Sequence, residues 1–225
     1  MTNPIIHSYK QILEDIKITC LKSKRDPNSV NVIAICKRQP FNKVKQAIDS
    51  GINYFGENRV QDGINRWSKI KSEKIILSFV GPLQTNKSED VINQFHEVQS
   101  LDRLKLAKSL SKAESKLNKR LNYMVQVNTG NEEQKSGINP NEVDDFIKLC
   151  KISYGLNVTG LMCIPPINQN PAIHFAFMSE IYKRNNLKHL SMGMSNDYKT
   201  AIEFGATHIR IGSKLFGERL EKEEK

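Results

Sequence analysis

Apolar positions along this chain come in short dense runs, separated by longer stretches in which they recur every third or fourth residue. The dense runs are VNVIAIC (30–36), NYFGEN (53–58), ILSFVG (76–81), HEVQSL (96–101), NYMVQVN (122–128), NVTGLMCI (157–164), HLSMGM (189–194) and HIRIG (208–212). They have the length of strands. Between them lie amphipathic segments at Phe41–Ser50, Arg59–Lys69, Ser88–Phe95, Asp102–Leu117, Pro140–Cys150, Pro171–Arg184 and Asp197–Phe204. Another helix opens the chain. Asn3-Pro4 is its start signal, and Ile5, Tyr9, Ile12 and Ile16 share one face.

One helix followed by eight strand–helix units predicts a parallel sheet. Eight such units are what a (β/α)8 TIM barrel needs, although a doubly wound sheet shares the alternation. No linker or low-complexity segment interrupts the 225 residues, so 1–225 is expected to be a single barrel domain with an extra N-terminal helix. The tail ERLEKEEK reads as a solvated end. In a barrel, active sites form at the C-terminal ends of the strands. Here those ends carry Cys36-Lys37, Glu57-Asn58, Gly81-Pro82, Ser100, Asn128-Thr129, Ile164-Pro165, Met194-Ser195 and Gly212-Ser213.

Composition narrows the choice of ligand. The net charge of +10 is compatible with nucleic acid or a small anion. The basic residues are scattered and mostly lysine, without the clustered arginines and exposed aromatics of a nucleic-acid surface. The four cysteines are far apart, with no CxxC and no zinc spacing, and the five histidines are dispersed. We expect reduced thiols, no structural metal and a cytoplasmic setting. The N-terminus MTNPIIHSYKQILEDI lacks the apolar core of a signal peptide, and no run reaches the length of a membrane span.

Three features at the strand ends could carry chemistry. Gly193 and Ser195-Asn196-Asp197 lead into a helix, and Gly212-Ser213 closes the last strand. Barrels often bind phosphate here, through backbone N–H groups and hydroxyls. The competing reading makes Ser195 and Asp197 helix caps and Gly212 a turn residue. Arg210 alternates with Ile209 and Ile211, so it sits within a strand and needs a partner. That partner is either a carboxylate such as Glu57 or a ligand ring. Lys37 shares the parity of Ile33 and Ile35. Taken alone it reads as a solvated strand end. In a desolvated pocket its amine would lose affinity for the proton and could form a Schiff base. Phosphate site, buried arginine and strand-end lysine together point to a phosphorylated aldehyde.

These residues resemble the pyridoxal phosphate homeostasis protein family. The matching blocks are VIAICKRQP, FGENRVQDG, FVGPLQTNK, VNTGNEEQKSGI, GLMCIPP and LSMGMSNDYKTAIEFGATHIRIGSKLFGER, in order from about Val30 to Arg219. The resemblance implies a single barrel similar to the N-terminal domain of alanine racemase. It implies that Lys37 carries pyridoxal 5'-phosphate (PLP) as an internal aldimine. Ser195, Gly212 and Ser213 would hold the phosphate, Arg210 would face the pyridine nitrogen, and Asn58 would lie near the phenolic oxygen. Met192 and Met194 look like pocket residues, one of them belonging to the core by its place in HLSMGM. Cys36 and Arg38 flank the lysine where the family usually has other residues. By parity Cys36 packs outward.

Arginine at the ring nitrogen is itself a proton donor. It would leave that nitrogen unprotonated and the ring a poor electron sink. The implied role is therefore a non-catalytic carrier that holds PLP, serves vitamin B6 homeostasis and supplies apo PLP-dependent enzymes. The implied state is a monomer, with no nucleic-acid or membrane partner. The alternative is a PLP-dependent amino-acid racemase. That reaction needs a second base, which alanine racemase takes from a further domain. Little chain follows Arg219, and Tyr54, Tyr123 and Tyr198 are the local candidates.

Overall fold

A computed structural model describes residues 4–70, 72–132 and 134–217. Eight parallel strands close into a barrel in sequence order, β8 pairing with β1. The strands are β1 (Asn31–Ile35), β2 (Tyr54–Glu57), β3 (Ile76–Phe79), β4 (Glu97–Leu101), β5 (Asn122–Val127), β6 (Asn157–Cys163), β7 (His189–Ser191) and β8 (His208–Ile211). Each dense apolar run holds one strand. This settles the choice between barrel and doubly wound sheet.

The helices are α1 (Pro4–Lys22), α2 (Phe41–Asp49), α3 (Val60–Trp67), α4 (Ser88–Gln94), α5 (Leu104–Leu117), α6 (Val143–Ile152), α7 (Pro171–Arg184), α8 (Tyr198–Glu203) and α9 (Ser213–Phe216). Helix α1 begins at Pro4 and buries Ile5, Ile12 and Ile16, with Tyr9 packed beside them. Asn3 of the predicted start signal, Arg219 and the charged tail lie outside the described residues.

Strand parity divides the wall. Val32, Ala34, Phe55, Leu77, Phe79, Ile209 and Ile211 join one continuous apolar cluster with the helices. The alternate positions face the barrel interior. They include Ile33, Tyr54, Met124 and Met162, and the buried polar residues Ser78, Glu97, Gln99, Ser191, His208 and Arg210. Cys36 is fully buried and belongs to the outer cluster, as its parity predicts.

HLSMGM departs from expectation. Strand β7 ends at Ser191, three residues early. Gly193 turns the chain with φ +89°, a conformation only glycine adopts without strain. A Cβ there would also lie 2.5 Å from Ala201 Cβ, so α8 can approach only a glycine. The turn carries Met194–Asp197 over the end of the barrel.

Helix α1 ties these loops down. Asp15 accepts hydrogen bonds from Tyr198 on α8, Lys199 at 2.8 Å and Lys214 on α9 at 3.2 Å. Burial opposes ionisation of Asp15, but the bonds from Lys199, Tyr198 and Lys214 outweigh it and hold the carboxyl at about 2.

Candidate functional site

A cavity of about 550 Å³ opens at the C-terminal ends of the strands. This is within the range of small-molecule sites. Its lining includes Lys37, Asn58, Ser195, Arg210, Gly212 and Ser213, all six residues singled out from the sequence. They come from four strand ends, those of β1, β2, β7 and β8. The barrel gathers them because every strand runs the same way. Ser100, Asn128 and Thr129, also at strand ends, do not line it. Asn128 instead closes its own loop, donating to Glu132 O at 2.8 Å and accepting from Glu132 N at 3.2 Å.

Lys37 is half-buried two residues beyond β1, on the side of the wall shared with Ile33 and Ile35. The neighbouring thiol of Cys36 points away from the cavity. Burial, reinforced by the Glu57 carboxylate and opposed by Arg66, raises its pKa well above the usual thiol value. The amine is thus the nucleophile presented to the cavity and the thiol is not. Asn58 is fixed by a close backbone approach. A Cβ on Gly81 would fall 2.1 Å from Asn58 O, so the glycine of FVGPLQTNK lets the end of β3 pack onto the end of β2.

The β7 and β8 loops meet at Ser195, whose Oγ accepts from Lys214 N at 3.3 Å. Asp197 accepts from Met194 N at 2.6 Å. Asp197 stands at the N-cap position of α8 but its side chain makes no cap bond there, and Ser195 accepts from the first turn of α9 rather than from α8. Gly212 leaves a gap. A Cβ there would have no nearer protein neighbour than Ile35, at 3.8 Å. Backbone and two serine hydroxyls therefore border an open space suited to an oxyanion.

Arg210 rises from the barrel interior, 4% exposed. It donates to Ser191 Oγ at 2.7 Å and to Cys163 O at 2.7 Å. That uses two of its five N–H donors. Burial lowers its pKa, but arginine starts high enough to remain charged. The suggested pairing with Glu57 is wrong. Glu57 lies on the outer face of β2, where it binds Arg66 and accepts from Trp67 Nε1 at 3.0 Å. The reason is parity: Glu57 falls on the opposite side of its strand from Tyr54 and Gly56.

Met192 is fully buried in the outer cluster, whereas Met194 is 39% exposed and lines the cavity. One wall has no counterpart among the predicted site residues. Ile164, Pro165, Pro166, Ile167 and Gln169, all from the loop after β6, line it. Gln169 is held by His174 of α7 at 2.8 Å. Ile164-Pro165 stood among the strand ends, but nothing in the sequence marked Gln169.

A closed eight-stranded parallel barrel with its polar cavity at the strand ends places the molecule among barrels of the alanine racemase N-terminal type. The model of that family, "Alanine racemase, N-terminal domain", matches residues 22–220. The chain belongs to the pyridoxal phosphate homeostasis protein family. It is 34% identical to the pyridoxal phosphate homeostasis protein of Haemophilus influenzae, over 96% of both chains. PipY of Synechococcus elongatus, whose structure has PLP bound, superposes with a TM-score of 0.77 at 29% identity, covering 92% of this chain and all of that one. An alanine racemase from Clostridium difficile shares the fold alone, with a TM-score of 0.69 at 14% identity over 95% of this chain and 58% of its own. Among the described residues no helix is long and apolar enough to cross a membrane, and no cluster of His, Cys, Asp and Glu could hold a metal ion.

Proposed function

We propose that residues 1–225 act as one PLP-binding unit that holds the cofactor reversibly in vitamin B6 homeostasis. The observation that carries this reading is the convergence of Lys37, Arg210 and the Ser195–Gly212–Ser213 gap on one cavity. The gap left by Gly212 suits a phosphate better than an uncharged group, because hydroxyls and backbone border it. PLP supplies an aldehyde that a primary amine can bond covalently, and a ring able to accept electron density.

Lys37 provides the amine. It would hold the aldehyde through a bond that water can reverse. Ser195, Gly212 and Ser213 would take the phosphate. Arg210 would present N–H donors to the pyridine nitrogen, and Asn58 would lie toward the phenolic oxygen.

Holding fits the geometry better than turnover. Arg210 donates hydrogen bonds but gives up no proton to the ring. The three tyrosine candidates for a racemase's second base are engaged elsewhere. Tyr54 bonds Glu97 in the barrel interior, Tyr123 donates to Glu114 at 2.9 Å, and Tyr198 donates to Asp15. None of them lines the cavity, and burial raises the pKa of all three. Delivery of PLP to apo-enzymes by a cytoplasmic monomer completes the proposal.

The test is borohydride reduction of the PLP-treated protein followed by peptide mapping. A reduced phosphopyridoxyl group on Lys37, absent from Lys37→Ala, is the expected result. A colourless protein with Lys37 unmodified would overturn the reading. Incubation with single enantiomers of amino acids, followed by chiral analysis, should show no interconversion.

A further inference from the structure

Beneath the cavity, the barrel interior contains a polar assembly that the cofactor-binding residues do not by themselves explain. Arg210 Nη1 donates to Ser191 Oγ at 2.7 Å. The Ser191 hydroxyl donates to Gln99 Oε1 at 2.7 Å, and Gln99 Nε2 donates to Glu97 Oε1 at 2.6 Å. Tyr54 also bonds Glu97. Ser191 and Gln99 are wholly buried, and Glu97 and Arg210 are 4% exposed.

Every donor in this chain points the same way, from cation to carboxylate. Turning the Gln99 amide over would set its oxygen against the Glu97 carboxylate, so the order of bonds fixes the side chain. Hydrogen bonds aligned in series polarise one another. Charge matters as well. A buried guanidinium is costly unless balanced, yet Arg210 donates to a hydroxyl and a carbonyl. Asp197 acts on the guanidinium through space from the cavity side, and Glu97 is joined to it through two neutral side chains.

We propose that Ser191, Gln99 and Glu97 form a positioning relay, which fixes the Arg210 guanidinium with its remaining donors toward the cavity. A carboxylate in direct contact could exchange a proton with the ligand's ring. The relay keeps its own carboxyl group two side chains away and leaves a donor at the cavity floor. The inference rests on the reading that this cavity takes PLP. The relay itself exists in the protein without cofactor.

The experiment is NMR of the arginine side-chain N–H groups in cofactor-free protein, comparing wild type with Gln99→Leu and Ser191→Ala. Arg210→Lys identifies the Arg210 signals. A held guanidinium gives separate Nη signals, and a freed one gives averaged signals. Wild type should show them separate, and each folded variant should show rotation faster by at least about tenfold, the scale of one lost hydrogen bond to a charged group. Loaded variants should also release PLP to a hydrazine trap about tenfold faster. Arg210 signals that stay separate in both variants would overturn the relay. If Gln99→Leu fails to fold, Ser191→Ala decides the matter. If wild type takes up no PLP, the cofactor reading fails, and the cofactor-free spectra still decide whether the relay holds Arg210.

Discussion

The two faces of the barrel wall are built from the same strands and follow opposite rules. Outward, Val32, Phe55, Leu77, Phe79 and Ile209 pack against helices, and shape is what matters. Inward, Ser78, Glu97, Gln99, Ser191, His208 and Arg210 are equally dry, and bonding is what matters. Adjacent residues on one strand therefore do different work. The outer face determines whether the chain folds, and the inner face prepares the floor of the cavity.

The largest expected effect is on the outer face. Phe79 is 1% exposed and stacks edge-on against Phe95, just past the end of α4. Phe79→Ala should cost about 3–5 kcal/mol in urea denaturation. PLP affinity of the remaining folded protein should be unchanged. A parallel loss of affinity would show that the two faces are not separable.

Glu57 is the polar exception on that outer face, so it sharpens the rule. Arg66→Leu should cost about 3 kcal/mol by stranding a buried carboxylate. Burial already raises the Glu57 pKa against the opposing pull of Arg66. Without Arg66 the folded pKa rises further above the unfolded one. Stability is then fully present below the unfolded pKa and lost as pH rises through the folded one. Urea midpoints of Arg66→Leu should therefore fall from pH 5 to pH 8 relative to wild type. A constant difference between variant and wild type would remove Glu57 as its cause.

The inner face has the opposite pH response. His208 is buried edge-on to Tyr54 and His189, with Asn31 and Thr207 at its ring nitrogens. Burial, then the nearby His189 and Arg210, lowers its pKa to about 3. The unfolded chain takes up a proton near pH 6.5, where the folded one does not. Stability is present above that value and lost as pH falls toward 3. Between pH 6.5 and 5 the loss should reach about 2 kcal/mol. His208→Gln should flatten this window, leaving the smaller share due to His189, whose pKa burial also lowers.

Parity is also what made so much of this legible in the sequence. Alternation in VNVIAIC placed Ile33, Ile35 and Lys37 on one side, and HIRIG placed Arg210 inward. The direction shared by parallel strands then brought four distant strand ends to one cavity. What alternation does not encode is register and partner. Arg210 meets Ser191 because β7 and β8 pair at Ser191 and His208, which no local pattern shows. Glu57 finds Arg66 because α3 returns over β2. Gln169 enters the cavity wall through a loop with no periodicity to read. Strand β7 stops early because Gly193 must turn under α8, a contact across the fold. Lys37 by itself has the sequence context of any solvated lysine, and only its company in the cavity sets it apart.

The smallest effect tests the inner face at its least satisfied point. Ser78 is the inward neighbour of Phe79, and its Oγ is buried without a hydrogen-bond partner among the described residues. The methylene and backbone are packed, but the hydroxyl has been taken from water for nothing in return. Ser78→Ala removes that cost and leaves only a small void. The two contributions oppose one another, so the change should lie within about 0.5 kcal/mol of zero, on the stabilising side. Urea denaturation beside Phe79→Ala makes the contrast between neighbours direct. A loss above about 1 kcal/mol would show that the hydroxyl makes a bond after all, to water held inside the barrel. The inner face would then be a hydrated network reaching beyond the Arg210–Glu97 chain, and Ser100, whose hydroxyl is likewise buried and unpartnered, would be the next residue to substitute.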